Sequence, residues 1–347
     1  MSVSRRGRLL LQTFYNICAL SFFQFFLGVE MSISKNFFSA IDVLYDGAQN
    51  KRKCTEFKDV EFTEEKDIVY DDSAPDACRL DICYVKNSDG AFSPAEHIPE
   101  EGGYPVIFYI HGGGFMAGDK RYRRALSRWC ATIGYFVVNI NYGLAPKYRF
   151  PQPQRHTVAA LNWVERNAEK YNLDTSRMVV AGDSAGGYYA AMLACICTHP
   201  EIQQKLGMST GVKFSAAWLN CAVYDMELLA HSKLVLNLGA RTFYDATGAK
   251  IEEIEDFRWR ELCSVPALVD KNFPKSFITY AKKDVLCINQ ADGMLEALAK
   301  AGVYFEQYHT CTLVANHCFS LTWKGKFAER NNRLVADFLK RFKDGKI

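Results

Sequence analysis

Two kinds of hydrophobic pattern alternate along most of this chain of 347 residues. One is a short, nearly continuous apolar run, as in Pro105–Ile110, Phe136–Asn141, Val179–Ala181, Ala216–Tyr224 and Ser276–Ala281. Runs of this kind suit strands covered on both faces in a mostly parallel sheet. The other is a helical spacing, seen from His156 to Tyr171, where Val158, Leu161, Trp163 and Val164 fall on one face. Strand-like and helix-like segments in alternation predict an α/β architecture with helices on both faces of the sheet. The segments near Val60–Tyr70 and Arg79–Lys86 alternate polar and apolar residues more strictly, which predicts an antiparallel start. Val303–Tyr308 alternates too and reads as the last strand, followed by a closing helix. Between Asp225 and about Leu268 the pattern breaks into aromatic, charged and short helical pieces, as an insertion over a sheet end would.

Candidate chemistry sits at the carboxyl ends of the predicted strands, where functional groups collect in α/β sheets. After Val179-Val180-Ala181 comes Gly182-Asp183-Ser184-Ala185-Gly186-Gly187, the form of a nucleophile elbow, in which small residues two before and two after the serine relieve the clash of strand and helix. A serine hydroxyl needs a histidine to take its proton, an acid to orient that histidine, and N–H donors for the oxyanion. The run Pro105–Ile110 stops at His111-Gly112-Gly113-Gly114-Phe115, whose glycines leave backbone amides free to face a ligand. No Lys-Ser/Thr follows them, which argues against a phosphate loop. His111 is expected to brace this loop rather than act as a base. Asp284, just past Ser276–Ala281, is the expected acid, with Asp225 one strand earlier as its rival. Of seven histidines, His317 combines a loop position with the chain order Ser, Asp, His; His309 is the alternative.

These motifs resemble the hormone-sensitive-lipase family of α/β-hydrolases, which comprises serine carboxylesterases and lipases. The H-G-G-G loop stands at His111 to Gly114, the G-D-S-A-G elbow at Gly182 to Gly186, the D-x-L acid loop at Asp284–Leu286 and the H-x-F base loop at His317–Phe319. The match runs in register from about Tyr104 to the C-terminus. The resemblance implies an α/β-hydrolase fold with a helical cap built from about residues 31–57 and 226–268, within a domain spanning 31–347. It implies Ser184 as nucleophile, Asp284 and His317 completing the triad, and an oxyanion hole from the amides of Gly113, Gly114 and Ala185, with Gly112 shaping the loop. The expected reaction is hydrolysis of carboxylic esters of short to medium acyl chain through an acyl-enzyme. An amidase or peptidase on the same scaffold and a non-catalytic ligand-binding relative are the alternatives. One departure is plain: where the family usually has Y-R-L-A-P-E, this chain reads Tyr142-Gly143-Leu144-Ala145-Pro146-Lys147, which puts an ion-pair arrangement near the site in doubt.

Composition adds limits rather than a new reading. With 49% hydrophobic and 23% charged residues, the chain can bury a large core as one elaborated domain. A net charge of +3 is too mild to imply nucleic acid, and Lys120-Arg121-Tyr122-Arg123-Arg124 is expected to be a solvated helix face. Twelve cysteines include no C-x-x-C pair or zinc spacing, so no metal is expected, and the chemistry needs no cofactor. The expected partner is a small-molecule ester. Residues 1–30 form a hydrophobic N-terminal segment with three arginines before the run Leu9–Val29. An anchor, a cleaved signal and a start at Met31 are the three readings; a cytoplasmic enzyme is expected, with membrane anchoring through residues 9–29 as the alternative.

Overall fold

The computed structural model describes residues 33–40, 57, 59–85, 103–232, 237–312 and 315–347. The run 9–29 lies outside them, and no helix of the described residues is long and apolar enough to cross a membrane. Eight strands form one sheet: Thr63–Val69 (β1), Arg79–Tyr84 (β2), Tyr104–Ile110 (β3), Phe136–Ile140 (β4), Leu173–Asp183 (β5), Ala216–Asn220 (β6), Lys275–Ala281 (β7) and Phe305–Thr310 (β8). Their spatial order is β1-β2-β4-β3-β5-β6-β7-β8. β2 runs antiparallel to β1 and β4, and every other neighbouring pair is parallel. The antiparallel start and the parallel centre follow the two hydrophobic patterns of the sequence.

Those patterns have a direct physical cause. Val106, Phe108 and Ile110 of β3 face one core while Ile107 and Tyr109 face the other, so both faces of the strand must be apolar. Helices Gln152–Arg166 and Ala185–Thr198 pack into the first core. Helices Arg124–Thr132 and Lys326–Lys343 close the second. Residues Ala185 to Cys197 are buried throughout, and a helix apolar all round is one enclosed on every side. Strand β1, reading Thr-Glu-Glu-Lys-Asp-Ile-Val, carries polar side chains at the sheet edge.

His309 lies within β8, the last strand as expected, and is exposed on that edge strand. Two expectations change. β6 stops at Asn220 rather than running to Tyr224, because Cys221 takes a φ of 46° and the chain turns over the sheet end. The basic cluster is not a solvated face: Lys120 and Arg123 are buried, with exposures of 2% and 7%. Sheet carboxylates draw them in. Lys120 Nζ lies 2.8 Å from Asp81 Oδ1 and 2.5 Å from Asp67 Oδ1, while Arg124 Nε lies 2.8 Å from Asp81 Oδ2.

Candidate active site

The strand β5 ends at Asp183, and Ser184 turns the chain into the helix Ala185–Thr198 with φ 53° and ψ −123°. Such dihedrals are sparsely populated for a residue with a side chain. Neighbouring backbone holds them: Ser184 N donates to Asn220 O at 3.0 Å, and Ser184 O accepts from Val223 N at 3.1 Å and Tyr188 N at 3.2 Å. Gly186 must be glycine because a Cβ there would stand 2.2 Å from Ile110 O and 2.3 Å from His111 O. That close approach sets the elbow against the glycine loop.

Ser184 Oγ lies 2.9 Å from His317 Nε2, and His317 Nδ1 lies 2.9 Å and 3.1 Å from the two oxygens of Asp284. Asp284 Oδ1 also accepts from Leu286 N at 2.8 Å and Cys287 N at 2.9 Å. Burial would raise Asp284, but the His317 charge, the His317 hydrogen bond and these amides outweigh it and hold the carboxyl below the usual range. Burial would likewise lower His317, yet the adjoining Asp284 carboxylate keeps the imidazole well above the ordinary histidine range. Among the predicted residues, then, Ser184, Asp284 and His317 come together. Asp225 does not: its carboxylate caps the short helix Met226–Ala230 by accepting from Leu228 N at 2.8 Å, and accepts from Ser264 Oγ at 2.6 Å. His309 stacks beside Tyr280 instead, at 5.1 Å between ring centroids.

The glycine loop follows β3. Gly113 takes a φ of 135°, a region that admits glycine almost alone, and its carbonyl accepts from Met116 N and Ala117 N. Gly113 N, Gly114 N and Ala185 N have no protein acceptor among the described residues; Ala185 opens a helix, so its N–H is one of the orphan donors of that terminus. His111 Nδ1 lies 2.7 Å from Gly112 O, and its ring stacks on Tyr142 at 4.7 Å. Tyr142 in turn donates to His111 O at 2.9 Å. Burial pushes His111 below the ordinary histidine range, so a neutral ring braces the loop.

Three supporting groups escaped the sequence reading. Asp183 of the elbow receives Arg123 at both oxygens, Nε at 2.8 Å and Nη2 at 2.6 Å, and Tyr109 Oη at 2.8 Å. Asn316 ties the acid and base loops together: its Oδ1 accepts from Val285 N and His317 N, both at 2.9 Å, and its Nδ2 donates to Lys283 O. Cys287 places its thiol beside Asp284 and His317. Only position could have signalled these groups, since Asn316 and Cys287 lie within the base and acid loops and Arg123 sits in a cluster that looked solvated. The missing family arginine at Gly143 is also explained: its N donates to His156 Nδ1 at 3.1 Å, and the Tyr148 and His156 rings fill the space a side chain would need.

Residues of the 33–40 helix and of the 226–268 insertion reach the surroundings of this site. Phe38, on the helix of residues 33–40, occupies the space a side chain on Gly114 would need. Ser34 Oγ on the same helix donates to Asp245 Oδ2 at 2.5 Å, joining it to the helix Leu238–Thr247. Phe115, Tyr188 and Tyr189 form a buried edge-to-face cluster under the glycine loop, and Tyr188 Oη donates to Leu262 O at 2.9 Å. Within the 226–268 insertion Phe243 is core, whereas Leu228 and Tyr244 are exposed.

Sheet order, elbow and loop define an α/β-hydrolase. Residues 107–320 match the model of a family with the alpha/beta hydrolase fold, and the chain belongs to that family, as its hormone-sensitive-lipase motifs imply. Arylacetamide deacetylase of Bos taurus is 41% identical over 110 residues, 30% of this chain and 28% of that protein. Esterase LipI of Mycobacterium tuberculosis is 30% identical over 231 residues, 62% of this chain and 66% of that protein. The matched stretches thus span from about a quarter to just under two-thirds of these relatives' own lengths. Among solved structures, esterase B from Lactobacillus rhamnosis superposes with a TM-score of 0.67 at 21% identity, covering 86% of this chain and 93% of that one. A bacterial heroin esterase gives 0.63 at 22% identity, covering 86% and 90%. At these identities the superpositions speak for the fold.

Proposed function

We propose that this protein is a serine hydrolase that cleaves carboxylic esters of short to medium acyl chain. One observation carries the reading: a continuous hydrogen-bonded line from Ser184 Oγ through the His317 imidazole to the Asp284 carboxylate. In this reading Ser184 attacks the ester carbonyl while His317 Nε2 takes its proton, and Asp284 stabilises the imidazolium. The oxyanion draws on the amides of Gly113, Gly114 and Ala185, each worth about 2.7–4 kcal/mol by analogy with a lost oxyanion donor elsewhere. His317 then gives the proton to the departing alcohol, and water repeats the sequence on the acyl-enzyme to release the acid. No group beyond these is required. The esterases among its relatives support the ester substrate, and the Phe38 and Ser34 contacts support a cap that includes residues 33–40 with the 226–268 insertion.

The similarity to an arylacetamide deacetylase favours an aryl amide as the second substrate class. Turnover of matched p-nitrophenyl esters and p-nitroanilides of increasing acyl length tests both readings. Preference for short and medium esters is the expected outcome; preference for the anilides would overturn the ester assignment.

A further inference from the structure

The carboxylate of Asp284, the thiol of Cys287 and the ring of His317 each offer a donor atom, and all three lie within 4.8 Å of one another. Donors around tetrahedral zinc, with bonds of about 2.0–2.3 Å, stand roughly 3.3–3.8 Å apart, so side-chain movement of about an ångström closes the set. The acid, base and soft thiolate that result suit a borderline or soft divalent cation rather than Mg²⁺ or Ca²⁺. A second feature gives an ion a way in. A cavity of about 170 Å³ runs behind the acid loop, lined by Asp284, Cys287, Cys221, Lys282, Asn289 and Asp292. Lys282, Asn289 and Asp292 are exposed, so the cavity meets the surface beside the triad acid.

We propose that Asp284, Cys287 and His317 form an inhibitory site for Zn²⁺ or Cd²⁺, reached through this cavity and distinct from any metal used in turnover. Binding forms a metal–sulfur bond and releases the Cys287 thiol proton to solvent. It also forms a bond to His317 Nδ1, whose proton moves to Nε2, the other ring nitrogen. An imidazole metallated at Nδ1 and protonated at Nε2 has no lone pair left for the Ser184 proton. Ester turnover therefore stops while the ion is bound, and a chelator restores it.

The loss of turnover rests on the serine-hydrolase reading; ion binding does not, and the test separates them. Cd²⁺ is titrated into the full chain carrying S184A, and the thiolate-to-metal absorption in the ultraviolet is compared with that of S184A/C287S. In parallel, Zn²⁺ inhibition of ester turnover, with reversal by EDTA, is compared in the unsubstituted chain, C287S and C318S. Cys287→Ser keeps the backbone amide that serves Asp284. The expected results are one equivalent of Cd²⁺ absorption lost in the C287S background, and a half-inhibiting Zn²⁺ concentration at least tenfold higher in C287S than in the other two. Equal absorption and equal inhibition with and without Cys287, or relief by C318S instead, would overturn the site. Cys287-dependent absorption with no effect of the ion on turnover would mean that the thiol holds the ion without His317 and would overturn the inhibitory site, whereas Cys287-dependent absorption in a chain that turns over no ester would count against the serine-hydrolase reading alone.

Discussion

Ser184 holds dihedrals that cost about 1–3 kcal/mol, and the surrounding hydrogen bonds sustain them. In the proposed mechanism this strain belongs to the residue that projects its hydroxyl towards the base. Ser184→Ala and His317→Ala should each lower kcat on the order of 10⁶-fold, and Asp284→Asn roughly 10⁴-fold, with folding kept. Asp225→Asn should leave kcat nearly unchanged, because that carboxylate caps a helix. A loss in Asp225→Asn equal to that in Asp284→Asn, measured on folded protein, would reverse the choice of acid. The pH profile follows from the same pair. His317 must be neutral to accept the serine proton, and Asp284 raises its pKa, so kcat/KM should rise through a limb lying above about 6.5, the free histidine value. An acid limb at or below that value would contradict the coupling.

At the level of elements, two loops and one ion pair hold the residues in register. Asn316 binds the loop after β7 to the loop after β8, so Asn316→Ala loosens the base loop while keeping all three triad side chains chemically intact. A misplacement of about 1 Å can cost roughly 10²-fold, so kcat should fall by about that much with KM little changed; an unchanged kcat would deny Asn316 a positioning role. Arg123 and Asp183 matter for the elbow's stability. Burial would raise Asp183, but the Arg123 charge, its hydrogen bonds and that of Tyr109 hold it below the usual carboxylate range. The sign follows: this stabilisation is present above the unfolded pKa near 3.9 and is lost as pH falls through the lower folded value. Arg123→Met leaves a buried carboxylate unpaired and should cost about 3–5 kcal/mol in urea unfolding at pH 7. A cost below about 1 kcal/mol would mean that solvent reaches Asp183.

Across the whole molecule, the legible part of the sequence was the part with period and order. The doubly covered strands could be read because a parallel sheet buries both faces, and the four motifs because each falls at or just past a strand end, those of β3, β5, β7 and β8. What could not be read depended on contacts far apart in the chain. Arg123 looked exposed because its partner Asp183 lies sixty positions away, and Phe38 gave no sign that it would cover Gly114. Asn220 ended β6 early through a turn with no glycine or proline to announce it. The proposed chemistry depends on one hydroxyl, that of Ser184, and covalent labelling addresses it most directly. Incubation with an organophosphonate bearing a p-nitrophenyl leaving group, followed by peptide mass mapping, should place one adduct per chain on Ser184 in parallel with loss of ester turnover. An adduct on another residue, or full turnover by protein labelled at Ser184, would contradict the serine mechanism.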